Sequence, residues 1–178
     1  AAGEAAWEVL ERDVPIAKSL IWKRQDEFYL ERGLKAWTED QVRSHFEARD
    51  AIDSIVTAFW PELGRRARQS GTSEYEMQQW LMEAFRREHI VAGDPPNVSV
   101  GAHSGDPHYE PTAERSADIK AGDFILLDVL GKKDRPNAVY YDITWTGVIA
   151  PAPSDRQREI FQIVRDARDA GINAVKSA

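Results

Sequence analysis

The chain has 178 residues, 42% hydrophobic and 30% charged, enough for one domain with a real core and typical of a folded rather than a disordered protein. Its net charge is −7 and its basic residues are scattered, which argues against a nucleic-acid partner. It has no cysteine, so a disulfide framework and thiolate metal ligation are excluded, and any metal would rest on carboxylate and imidazole, which suit Mn²⁺, Co²⁺ or Zn²⁺.

Residues 1–36 carry a loose apolar stripe, Trp7, Leu10, Val14, Ala17, Ile21, Phe28 and Leu30, interrupted by Pro15 and closed by Gly33. A helical segment is expected there. A long helix is predicted from Thr38, which forms a capping box with Gln41. Val42, Phe46, Ile52, Val56 and Phe59 follow at helical spacing. Pro61 should kink this helix rather than end it, and Ser70-Gly71 should stop it. A second helix should open at Ser73, boxed by Glu76, with Met77, Trp80, Leu81, Ala84 and Phe85 on one apolar face. His45 and His89 fall in these helical patterns with no partner motif, and read as surface or core-edge histidines. Gly93-Asp94-Pro95-Pro96 ends the element.

Strands are expected at 97–103, 123–129 and 138–146. The architecture is therefore α+β, with long helices packed on one face of a mostly antiparallel sheet. Glycines and prolines between Gly101 and Pro111 mark an exposed loop. Its His103 reads as a solvated side chain. A last helix should begin at Ser154, boxed by Gln157, with Ile160, Val164, Ala167, Ala174 and Val175 along one face.

The densest chemistry lies from Asp118 to Thr146. Phe124-Ile125-Leu126-Leu127 is a short continuous apolar run, the pattern of a buried strand, and Asp128 is expected to end it. Asp142 sits in a second strand-like run, after Val139-Tyr140-Tyr141 and before Ile143-Thr144-Trp145-Thr146. An aspartate beside apolar residues is costly to bury alone, and neither run holds Arg or Lys, so a cation between the two is a natural partner. Spacing alone favours the plainer reading, in which Asp128 leads a turn and Asp142 lies on a solvated face.

The wording of these runs weighs against the plainer reading. LLD, a loop and YYDITWT resemble the LxD…DITRT pattern of the pita-bread metallopeptidases. That family holds Xaa-Pro aminopeptidases, prolidases and methionine aminopeptidases, with creatinase as a non-peptidase relative. The resemblance implies that residues 37–178 form the first half of a pita-bread catalytic domain, with 1–36 a connector from a preceding domain. It implies two divalent metal ions, Mn²⁺ foremost and Co²⁺ or Zn²⁺ as alternatives. Asp128 would bind one ion and Asp142 would bridge both, with a bridging hydroxide as nucleophile. His108-Tyr109 resembles the family's active-site HY, whose histidine faces the metal centre and substrate, so His108 is the expected catalytic residue. Thr144 is expected to hydrogen-bond a ligand carboxylate.

The family's remaining ligands, a histidine and two glutamates, have no counterpart here. All four histidines precede Asp128, and Glu159 is the one glutamate beyond Asp142. The helix after Ser154 also resembles the family's post-hairpin helix, and the chain is expected to be cut within or just after it. Residues ahead of Ala1 are expected as well, since it is not a methionine.

The expected activity is that of a metallo-aminopeptidase of the Xaa-Pro type acting on a peptide substrate. The alternatives are a creatinase-like non-peptidase hydrolase and a peptide-binding protein that has lost catalysis. Trp145, where the family pattern has arginine, leaves the substrate class open. A homodimer is the oligomeric option. With no membrane-length apolar run and no signal-peptide pattern, a cytoplasmic location with no membrane partner is expected.

Overall fold

A computed structural model describes residues 37–106 and 108–177. The connector expected over residues 1–36 lies outside the described residues. The described residues fall into two units, one spanning Arg43–Pro153 and one to which residues 37–42 and 154–177 belong. The order of elements is α1 (Glu39–Gln69), β1 (Thr72–Ser73), α2 (Glu74–Arg87), β2 (Ile90–Val91), β3 (Asn97–Val100), a 3₁₀ turn (Gly101–Gly105), β4 (Asp118–Ile119), β5 (Phe124–Lys133), β6 (Tyr141–Val148) and α3 (Asp155–Ser177). Helices and antiparallel strands together make the α+β architecture that the sequence implies.

The helix starts follow from side chains reaching three residues along the chain. Thr38 N–H donates to Gln41 Oε1 at 2.9 Å, and Gln41 N–H donates back to Thr38 Oγ1 at 3.2 Å. Ser73 and Glu76 make the same reciprocal pair at α2. Ser154 and Gln157 repeat it at α3, at 2.8 and 3.2 Å. Helix α1 passes through Pro61 and stops at Gln69, where Gly71 turns the chain at φ +74°.

The buried stripe of α1 is Ser44, Ala48, Ile52, Ile55, Val56, Phe59 and Leu63. Val42 and Phe46, expected on it, are only half-buried, because the small Ser44 and Ala48 face the core. His89 is not helical: it follows the C-cap Glu88 with φ +53°, the left-handed position that ends many helices.

Strand β5 is the axis of the sheet. On one side it pairs antiparallel with β6, from Phe124↔Val148 to Gly131↔Tyr141. On the other side it pairs with β3, from Asn97↔Asp128 to Val100↔Ile125, and further along with β2. β1 and β4 form a separate antiparallel pair.

The four-residue apolar run is not a strand buried on both faces, and Asp128 does not end it. The strand runs on to Lys133 because its side chains alternate. Ile125, Leu127 and Val129 are fully buried against the core shared with α1 and α2, while Leu126, Asp128 and Leu130 point the other way. The expected strand over 97–103 ends at Val100, where Gly101 turns into 3₁₀ geometry at φ +56°.

Strand β6 starts at Tyr141, later than expected, because the loop before it is tied to α1. Val139 N–H donates to Ser44 Oγ at 3.0 Å, the Tyr140 carbonyl lies 2.7 Å from His45 Nδ1, and Arg135 pairs with Glu47 at 3.0 Å.

Helix α3 leaves Ile160, Phe161, Ile163 and Val164 exposed, each by 45–62%. No helix of the described residues is long and apolar enough to cross a membrane.

Candidate functional site

The ladder register puts Asp128, Thr144 and Asp142 on one face of the β5–β6 hairpin. Asp128 lies opposite Thr144, and Asp142 lies opposite Leu130, two residues from Thr144 along β6. Directly opposed residues share a face, and so do residues two apart on one strand. Asp128, Thr144 and Asp142 are therefore neighbours on the side turned away from α1 and α2. Asn97, opposite Asp128 on β3, extends the row, and its Oδ1 accepts from Ser99 Oγ at 2.6 Å.

Both aspartates are exposed, so burial alone does not require a cation between them, as the sequence argument had it. Their mutual effect is visible at Asp142. Partial burial, and then the negative charge of Asp128, push its carboxyl above the usual aspartate range. Thr144 Oγ1 donates to Asp128 Oδ1 at 2.7 Å, which occupies one lone pair of that oxygen and fixes the plane of the carboxylate. Among the described residues, no group of three or more His, Asp and Glu side chains could hold a metal ion by itself.

Trp145 lies on the other face. It is opposite Leu127, among the residues of β6 that turn toward the helices, and is 44% exposed at the edge of the sheet. A molecule bound over the aspartates would meet the opposite side of the strand.

His108 sits on the loop that leaves β3 after Val100, whose partner Ile125 is three residues from Asp128 along β5. The start of the loop is thus roughly 10 Å along the strand from that carboxylate. His108 is exposed, and its backbone N–H donates to Asp106 Oδ1 at 2.9 Å. No hydrogen bond among the described residues joins it to either aspartate.

The neighbouring residues are tightly organised, contrary to the plain solvated loop expected around His103. His103 Nδ1 lies 2.8 Å from Glu74 Oε1, and its ring stacks on Tyr109 at 4.1 Å. Tyr109 is buried and its hydroxyl donates to Glu74 Oε2. Burial and that bond push the Tyr109 phenol up to about 12, so it stays a donor at neutral pH.

Glu74 is the residue that the sequence did not reveal. It is fully buried at the first position of α2. In the sequence it sits inside the Ser73–Glu76 capping box and reads as one more acid in a first helical turn. Two side chains offered a clue: His103 and Tyr109 stand in one loop and both can donate to a carboxylate.

Residues 43–178 match the sequence profile of metallopeptidase family M24. The chain belongs to that family. Its hairpin, helices and antiparallel strands are a partial pita-bread fold of the M24 type. The M24 chain is 29% identical over 130 residues to Xaa-Pro aminopeptidase 2 of Streptomyces coelicolor, covering 73% of this chain and 27% of that protein. It is 30% identical over 132 residues to Xaa-Pro aminopeptidase 1 of the same organism, covering 73% and 26%. It is 28% identical over 142 residues to the Xaa-Pro dipeptidase of Pyrococcus furiosus, covering 78% and 37%. The chain thus spans about a quarter to two fifths of the length of these relatives.

Proposed function

We propose that this chain is part of a metal-dependent aminopeptidase that releases the N-terminal residue of a Xaa-Pro peptide. The observation that carries the reading is the pairing of Asp128 and Asp142 on one exposed sheet face of an M24 chain. Their carboxylate oxygens are hard acceptors, suited to Mn²⁺ and also to Co²⁺ or Zn²⁺. The raised carboxyl of Asp142 beside Asp128 fits a place where a cation would relieve repulsion. These two residues would supply part of the donor set.

When bound, two divalent ions supply an activated water and polarise the scissile carbonyl. The chain's own residues would do the rest. Asp128 and Asp142 hold position on adjacent strands of a rigid sheet. Thr144, by donating to Asp128 Oδ1, keeps that carboxylate in one plane. His108, exposed on its loop, offers an imidazole as proton donor or acceptor toward the reacting carbonyl or the leaving amine. Names such as Xaa-Pro aminopeptidase and Xaa-Pro dipeptidase, carried by the relatives, support a Xaa-Pro substrate.

The test uses the full-length protein and a Xaa-Pro peptide. Hydrolysis that chelator abolishes and Mn²⁺ or Co²⁺ restores is the expected result. Full activity in chelator-treated, metal-free protein would sink the mechanism. Hydrolysis of creatine-like small molecules without peptide cleavage would move the protein to the non-peptidase reading. Peptide binding without turnover would make it a binding module.

A further inference from the structure

The carboxylate of Glu74 is fully buried at the N-terminus of α2, and four segments of chain converge on it. Val100 N–H, at the end of β3, donates to Oε1 at 2.7 Å. Ala117 N–H, just before β4, donates to Oε2 at 2.8 Å. His103 Nδ1 lies 2.8 Å from Oε1 and 3.1 Å from Oε2, and the Tyr109 hydroxyl donates to Oε2. Glu74 N–H in turn donates to the Ala117 carbonyl at 3.1 Å.

A buried carboxylate is tolerated when its lone pairs are all used, and the positive end of a helix dipole favours it further. Both conditions hold at this position. The bonds have a pattern beyond charge balance. Val100 and Ala117 are the two ends of the loop that carries His108, and His103 and Tyr109 lie within it. Tyr109, the residue after His108, is held from three directions: Glu74 at its hydroxyl, the His103 ring stacked on one side, and the Arg115 guanidinium 5.5 Å from its centroid. Among the described residues His108 has no such anchor on its side chain, so its location is set by the neighbour that has one.

We propose that Glu74 is a positioning residue that acts through Tyr109 to set where the His108 imidazole stands. The inference rests on the reading of His108 as the group that meets substrate.

The test is a set of variants of the full-length protein assayed on the same Xaa-Pro peptide: E74Q, Y109F, H108A and the double variant E74Q/H108A. In E74Q an amide nitrogen must face a backbone N–H donor, so the cluster loses a bond although the side chain keeps its size. The expected result for E74Q is a kcat lower by about tenfold to about 100-fold, as for a misplaced reacting group, with KM and metal affinity unchanged. Y109F should show the same split. The double variant should be no slower than H108A alone, because the effect of Glu74 passes through a residue already removed.

Equal losses from E74Q with and without His108 would overturn the proposal, as would a loss traced to metal affinity. If E74Q does not fold, Y109F and Y109F/H108A carry the same comparison. If the wild type cleaves no peptide, the peptidase reading has failed, and the positioning claim is then read from the His108 imidazole by NMR. One sharp signal in the wild type that becomes averaged in Y109F supports it. A signal unchanged in Y109F overturns it.

Discussion

Thr144 and Asp128 face each other across the β5–β6 ladder, and the threonine hydroxyl donates to the carboxylate at 2.7 Å. The bond joins two side chains on an exposed face, so it adds little to stability. Its effect is on orientation: an aspartate with one oxygen held presents the other in a fixed direction.

The variant T144V keeps the shape and β-branching of the residue and deletes the donor. Metal affinity of the full-length protein should fall by about 10-fold to 100-fold, the usual cost of losing a bond to a ligating carboxylate. The denaturation midpoint should barely move. Calorimetric titration of Mn²⁺ into wild type and variant checks this, and equal affinities would remove Thr144 from the site.

Tyr141 is placed for a different role. It precedes Asp142 but turns to the helix side, where its hydroxyl donates to Asp53 Oδ1 of α1 at 3.1 Å. The His45 ring approaches it edge-on at 5.7 Å. Y141F should destabilise the fold by about 1–2 kcal/mol, the range for a half-buried hydrogen bond to a carboxylate. Urea unfolding at neutral pH measures it. An unchanged midpoint would mean that this bond does not hold β6 on α1.

What could be read from the sequence and what could not divide by distance along the chain. The three capping boxes were legible because each joins residues three apart. The aspartate pair was legible as wording, but its shared face follows from a register that pairs Asp128 with Thr144, which no local pattern fixes. Glu74 was illegible because its partners lie 26, 29, 35 and 43 residues away. The length of β5 was misjudged for a related reason. Leu126 stands in the apolar run that reads as a buried strand, yet it lies on the aspartate face with Leu130, both half-buried, and the alternation continues past Asp128.

Two phenols, Tyr109 buried and Tyr141 half-buried, should make the fold sensitive to alkali. Tyr109 and Tyr141 are both pushed up to about 12, in each case chiefly by burial, with a neighbouring carboxylate adding to it. The unfolded chain would release these protons near the ordinary value of about 10. The protonated form is thus favoured in the folded state. The stability this confers is whole below about pH 10 and is lost as pH rises toward about 12. Urea midpoints measured across that window should fall, and Y109F should fall less steeply than wild type. A flat profile, or one that Y109F leaves unaltered, would contradict the burial of Tyr109.

Two glycines on the core side of the sheet should respond differently to the same added methyl group. A Cβ on Gly131 would stand 2.5 Å from Ile90 Cγ2, with Ile52 and Phe85 each 3.2 Å away. All three neighbours are buried, so none can withdraw cheaply. A Cβ on Gly147 would stand 2.6 Å from the Trp60 ring, which is half-buried and can tilt outward. Neither glycine has the positive φ that would make strain a competing explanation. G131A should therefore cost about 1–3 kcal/mol, the range for overpacking a core, and G147A should cost less. Thermal unfolding of the two variants side by side gives the comparison. If G147A were the more damaging, Trp60 would have to be fixed in place, and the edge of β6 would be packed more firmly than its exposure implies.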